Sequence, residues 1–474
     1  MSPAGLFISK RANTAFLVRL CAVRVIGLAV LMLACGCTHP SPRLTLPARP
    51  GKAPGSGTIV WLAGPQVATA SDGVRQALVD AFERAYPSIK VRLQAGPDST
   101  DSLRATLWKG LSAGAVTPDV YTGDVVWPYE FAHAGLALPL SRYLPASFWT
   151  TFGPPGRPGT SSMVRAVTYR GAKYAVPYFL DEGFLYYRKD LLHKAGLEPP
   201  KTWQQLIYDS KELEQKHLPY QFVWQGNNYE GLTCDYYEIL ADAFGRPPTN
   251  ANLAAELDSP QALKALQFLR QLIKAGISPH NIDTFEEPQA DHAFDTGHAA
   301  FLRSWDSSYA NAMSTTSATA HPGRVGIEPP PTFQGQQGPG FSVIGGWSLF
   351  INPHTQNLRA DLTFVTWMAG VQAQRILASQ YFQIPTNDSV RTDTSITRLS
   401  PVLKAAADTK LVGRPSATID YQKITTAIHR NIYAALPGPS SAGLRPCLAL
   451  RRAALAIDPH IHGTLRCSGF AGQG

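Results

Sequence analysis

Thr58 to Leu93 reads TIVWLAGPQVATASDGVRQALVDAFERAYPSIKVRL. It opens on an apolar run, Thr58 to Leu62, with the character of a strand. Val74, Leu78, Phe82 and Tyr86 then recur at helical spacing, and Ile89, Val91 and Leu93 alternate with polar residues as in a half-buried strand. Strand, helix and strand in so short a span form a βαβ unit, which implies a parallel sheet and a right-handed crossover. Pro118 to Tyr121 (PDVY) opens another short strand. Further on, Thr202 and Gln205 form a capping box ahead of Trp203 and Leu206. Ser259 and Pro260 start a helix carrying Leu263, Leu266, Leu269, Leu272 and Ile273, and Gly276 stops it. Mixed α/β runs continue to about Leu436, without internal repeats.

The chain has 474 residues, enough for two or three domains with real cores. Its 44% apolar and 16% charged content describe a globular protein rather than a disordered chain or a membrane bundle. The formal charge is +9, but four positives (Lys10, Arg11, Arg19, Arg24) lie in an N-terminal segment without a carboxylate. The remaining basic residues are scattered, which argues against nucleic-acid binding. Val25 to Ala34 (VIGLAVLMLA) has the length of a signal-peptide core. It is too short for a spanning helix, which needs about 20 apolar residues. Cys35-Gly36-Cys37 follows, and a small residue before a cysteine at this point resembles the lipobox of bacterial lipoproteins. Cys37 is the favoured acylation site, with Cys35 the alternative, and an ordinary secretory signal with incidental cysteines is a third reading. All three predict an exported protein. Residues 38–57, rich in Pro, Gly and Ser, read as a flexible tether. Cys234 reads as a buried free thiol, and Cys447 and Cys467 as a possible bridge whose distance sequence cannot give. No metal-ligand spacing occurs and no cofactor is expected.

Eight segments, in order, carry a resemblance. They are Asp119 to Trp127 (DVYTGDVVW); Phe131 to Gly135 with Pro139-Leu140; Tyr174 to Gly183 (YAVPYFLDEG); Leu185 to Leu192; Phe222 to Gly226 with Tyr229 to Leu232; Gly297 to Phe301 leading into Trp305; Gly345-Gly346-Trp347; and Arg414-Pro415. Together they resemble the extracellular solute-binding proteins of sugar importers, in the maltose- and trehalose-binding branch, over about residues 58–436. The resemblance implies an α/β, two-lobed periplasmic-binding-protein fold of type II, with a ligand cleft between lobes joined by crossover strands. Its expected division is a signal peptide and lipobox over 1–37, a tether over 38–57, lobe one from 58–180 plus 305–352, lobe two from 181–304 plus 353–436, and an atypical tail over 437–474.

A neutral sugar needs carboxylates that accept its hydroxyl hydrogens and aromatic faces that cover its C–H surface. Asp124, which follows a strand and precedes Trp127, sits where open α/β sheets place ligands. Asp181 falls on the presumed crossover, with Glu182 beside it. Trp305 and Trp347 are the expected platforms, and Gly345-Gly346 lets the backbone approach a ligand. Trp224, Gln225, Tyr229 and Glu230 form a second-lobe cluster of donors and acceptors, and Arg414 offers a fork to a hydroxyl or a carboxylate. Each has a plainer role available: a helix cap for Asp124, a turn for Asp181, core packing for the tryptophans, a surface ion pair for Arg414.

The sequence departs from the family where Asp306, Ser307 and Ser308 follow Trp305, in place of Pro and further aromatics. After Leu436 the resemblance fades, so the last helix is altered or the tail loosely attached. The function expected is sugar capture without chemistry. The ligand expected is a disaccharide or short α-glucoside such as trehalose or maltose. A lipid-anchored monomer would deliver it to the membrane subunits of an ABC permease. The competing reading is a secreted glycoside hydrolase. Asp181 and Glu182 fit it poorly, because strand neighbours point to opposite faces.

Overall fold

The computed structural model describes residues 55–64, 68–97, 99–153, 160–214, 218–314, 317, 319, 323–461, 465 and 467. The signal, lipobox and most of the tether readings fall outside these residues. The described residues build two large sheets, each with its own core, and a small hairpin of Thr168–Tyr169 with Ala172–Lys173.

The first sheet contains β1 (Gly57–Leu62), β2 (Ile89–Gln94), β3 (Val120–Asp124), β4 (Val176–Glu182), β9 (Phe341–Ile351) and β10 (Ile384–Pro385), in the order β10-β4-β9-β3-β1-β2. The opening βαβ unit is there: β1 pairs in parallel with β2 and β3, and the helix Ala68–Ala85 lies between β1 and β2 in sequence. Ile59 to Leu62 are all buried, as in a central parallel strand covered on both faces. At the sheet edge, β2 buries Ile89 and Val91 and exposes Lys90 and Arg92. Asp119 ties this region together, since its carboxylate accepts from Val60 N at 2.8 Å and from Thr355 and Asn357 at 3.0 Å.

The second sheet contains β5 (Phe184–Arg188), β6 (Tyr220–Val223), β7 (Ala299–Ser304) and β8 (Val325–Glu328), in the order β8-β5-β7-β6. The helix starts read from sequence are there, although the Gln205 side chain accepts from Lys201 N rather than from Thr202 N as a full capping box would have it. Gln205 N donates to Thr202 Oγ1, and Ala262 N to Ser259 Oγ. Gly276 adopts φ +70° after the helix Pro260–Lys274.

Among the described residues, three chain segments join the lobes. The first is Glu182-Gly183, between β4 and β5. The second lies inside β9: Phe341 to Val343 pair with β11 (Lys410–Val412), and Ile344 to Ile351 pair with β4 or β3. The third leads into β10, where Ile384 joins the second core.

Residues 305–314 and 323–340 stay with the second lobe, because β8 pairs with β5 and Ala312, Val325 and Phe333 enter its core. The return comes at Gly345-Gly346, not at Trp305. Helices Leu358–Met368 and Val371–Gln380 belong to the first lobe, not the second. Phe364 and Trp367 pack on Phe82, with ring centroids 5.0 and 5.5 Å away. An amphipathic helix announces that one face must be covered, but not by which sheet.

The segment after Leu436 is docked. Helix Pro446–Ile457 buries Ala449, Leu450, Ala453 and Ala454 in the second core. A disulfide joins Cys447 to Cys467.

Candidate functional site

The carboxyl ends of β1, β3 and β4 open on a cleft shared by both lobes, a space of about 950 Å³ that includes part of the open solvent. Asp124, Asp181, Glu230, Trp305, Gly346, Trp347 and Arg414 all line it. Trp127, Glu182, Trp224, Gln225 and Tyr229 do not.

Arg414 spans the cleft. Its Nη2 donates to Asp124 Oδ1 at 2.9 Å in the first lobe, and its Nη1 to Glu230 Oε1 at 2.6 Å in the second. Arg414, Asp124 and Glu230 are each under one-tenth exposed, so this bridge works in low dielectric. Burial pushes the Asp124 carboxyl up, and the Arg414 charge opposes it. Glu230 also accepts from Tyr421 and Thr425, so its oxygens are committed to holding the arginine. Asp124 keeps more capacity, with Val126 N as its further donor at 3.1 Å.

The indoles stand on rigid supports. Trp347 pairs in register with Asp124 and packs edge-on against Trp127, which stacks on Phe131. Trp127 is therefore a core residue that braces a cleft residue. Gly346 has φ +120°, and a Cβ there would stand 2.5 Å from the Phe179 carbonyl oxygen. At Gly345 a Cβ would meet the Trp305 ring at 2.9 Å. The paired glycines thus admit a tight crossing and the close approach of Trp305.

Arg303 lies over the Trp305 ring, 4.2 Å from its centroid, in cation–π geometry. Gln225 Oε1 accepts from Arg303 at 2.7 Å, and Asp235 and Glu238 pair with the same guanidinium. Gln225 thus supports the platform from behind. Tyr229 donates to Glu287 at 2.7 Å, and Glu287 also accepts from Trp305 Nε1 at 3.3 Å. Trp224 is spent in the core, donating to Ser278 Oγ at 2.9 Å. The sequence cluster Trp224, Gln225, Tyr229 and Glu230 is real as a neighbourhood, but Glu230 is its member on the cleft.

Asp181 hydrogen-bonds to Asp306, which also receives the Ile384 and Ser307 amides, each at 2.9 Å. Burial raises both carboxyls: Asp181 is pushed up to about 6, with the Asp306 hydrogen bond opposing the rise and Asp124 and Glu287 adding to it, and Asp306 is raised further by the Asp181 charge beside it. Asp181 lines the cleft, and its buried Oδ1 has no hydrogen-bond partner. Glu182 faces a separate hollow.

Sequence reasoning missed Glu287, Arg75, Thr100, Tyr178 and Gln383, which also line the cleft, and Asp306 behind it. Asp306 was visible as a departure after Trp305 but carried no role. Glu287 opens a helix at a capping box, where an acidic residue is ordinary. Cys234, free and buried, reaches the cleft wall. Among the described residues no group of His, Cys, Asp or Glu is arranged to hold a metal ion.

Two lobes around a cleft walled by carboxylates and indoles define a solute-binding protein of the type II periplasmic class. The family profile of bacterial extracellular solute-binding proteins matches residues 68–375, and the chain belongs to that family. A probable ABC transporter-binding protein of Deinococcus radiodurans is 31% identical over 374 residues, covering 76% of this chain and 86% of that one. The maltose-bound MalE3 of T. maritima is 30% identical with a TM-score of 0.74, covering 84% of this chain and 98% of its own. The GacH receptor of Streptomyces glaucescens shares the fold at 23% identity and TM-score 0.70, covering 85% of this chain and 97% of its own.

Proposed function

We propose that this chain captures a sugar, a disaccharide or short α-glucoside such as maltose or trehalose, and presents it to an ABC permease. The observation that carries the reading is the convergence of Asp124, Asp181, Trp305 and Trp347, from both lobes, on one gap. Asp124 and the free Oδ1 of Asp181 accept hydroxyl hydrogens, and the indoles cover the C–H faces of the rings. Arg414 holds the Asp124 carboxyl in place through its two-pronged contact with both lobes. The ligand contacts both lobes at once only when they are together, so it favours the closed arrangement by differential affinity. The maltose in the MalE3 structure supports this choice of ligand class.

The protein acts outside the cytoplasm, tethered by a lipid on Cys37 (or Cys35), as a monomer. A hydrolase reading needs one carboxylic acid and one free carboxylate set apart across a glycosidic bond. Asp124 and Glu230 are instead both bound to one guanidinium, and Asp181 is bound to Asp306. Calorimetric titration with a panel of α-linked disaccharides, followed by analysis of the recovered sugar, tests the proposal. Saturable binding with intact sugar supports it, and released monosaccharide contradicts it.

A further inference from the structure

A second hollow adjoins the cleft. It measures about 810 Å³, part of it open solvent, and shares Phe179, Asp181, Trp347 and Arg414 as walls with the first. The rest of its lining is of a different kind. Val125, Val126, Met163, Leu180, Ile344 and Leu411 supply aliphatic surface. Ser162, Ser348 and Ser416 add hydroxyls, and Glu182 adds one carboxyl group.

Glu182 is 5% exposed, and its Oε2 has no hydrogen-bond partner. Thr409 hydrogen-bonds to the side chain. Burial pushes the carboxyl up to about 8, so near neutral pH it carries a proton and can donate it to an acceptor. A further sugar ring placed here would leave many hydroxyls against aliphatic walls without partners, which is unfavourable. An apolar group with a single acceptor oxygen suits the surroundings.

We infer that this annexe takes the apolar aglycone of a glycoside whose sugar occupies the cleft, with Glu182 donating to an oxygen of the aglycone. The inference rests on the carbohydrate reading of the cleft. It adds that the preferred ligand is a glycoside rather than a free sugar. Phe179 and Trp347, which wall both spaces, mark where sugar gives way to aglycone.

Calorimetric titration of the full chain with maltose and with p-nitrophenyl α-maltoside tests this. The nitrophenyl glycoside should bind at least tenfold more tightly than maltose. Ala166→Trp, which fills the annexe wall, should remove that gain and leave maltose affinity within twofold. Leu411→Trp, at a position 37% exposed and tolerant of bulk, gives a second route to the same loss. Maltose binding with no gain for the glycoside overturns the annexe and leaves the cleft reading standing. A gain that survives both substitutions likewise overturns it. Failure of both ligands to bind overturns both readings.

Discussion

Arg414, from the second lobe, donates to Asp124 of the first at 2.9 Å, and both side chains are under one-tenth exposed. A buried ion pair is weak support for stability, since desolvation offsets much of its attraction, but removing one partner is costly. Because Glu230 anchors the same guanidinium, Arg414 ties a first-lobe carboxyl to a second-lobe one.

Arg414→Met should lower unfolding stability by ~3–5 kcal/mol, the usual cost of stranding a buried charge. Here two carboxylates lose the same partner. A denaturant titration checks this, and an Asp124→Ala, Arg414→Met double-mutant cycle should show coupling of at least about 1 kcal/mol. Independent, additive effects would mean that the bridge is incidental.

Gly346→Ala should destabilise the fold by about 2 kcal/mol or more, because φ +120° disfavours any side chain and the new Cβ meets backbone rather than a movable side chain. Gly345→Ala is different: its Cβ meets the Trp305 ring at 2.9 Å. Its main effect should be displacement of that indole, read as a change in tryptophan fluorescence together with weaker ligand binding. Unchanged emission and affinity would separate Gly345 from the platform.

Glu182 should make the protein less stable as pH rises. Its folded carboxyl is pushed up to about 8 by burial, with Asp181 adding to the rise and Arg391 opposing it. A raised carboxyl favours the fold below the unfolded value near 4.5 and loses that contribution as pH climbs through about 8. Glu182→Gln should flatten this slope, the difference reaching on the order of a few kcal/mol at most. Parallel stability curves for wild type and variant from pH 5 to 9 would show that Glu182 is ionised throughout.

Reducing the Cys447–Cys467 bridge, which spans 20 residues, should cost ~3 kcal/mol by the loop-entropy argument. Helix Pro446–Ile457 should be the part that loosens. Hydrogen exchange over that helix, with and without reductant, measures it. Equal protection in both states would show that packing alone holds the tail.

The βαβ start was legible because its periodicities are local, and the glycine pair before Trp347 because only glycine tolerates that crossing. Lobe membership depends on contacts between residues far apart in the chain. Phe364 and Trp367 meet Phe82 some 280 residues earlier, and no local pattern encodes that choice of partner. Within the site, residue type could not separate contact from support. Trp127 and Trp347 are both indoles in matching motifs, yet one braces the other. Gln225 and Tyr229 carry the donors and acceptors of a sugar site but spend them on Arg303 and Glu287.

The convergence of both lobes on a carbohydrate is tested most directly by titrating wild type and Asp124→Ala with maltose and trehalose in a calorimeter. The wild type should bind at least one disaccharide saturably and one-to-one, with binding weakened by ~2–5 kcal/mol in the variant. No heat from either sugar, or a variant that binds within about half a kcal/mol of wild type, would contradict it.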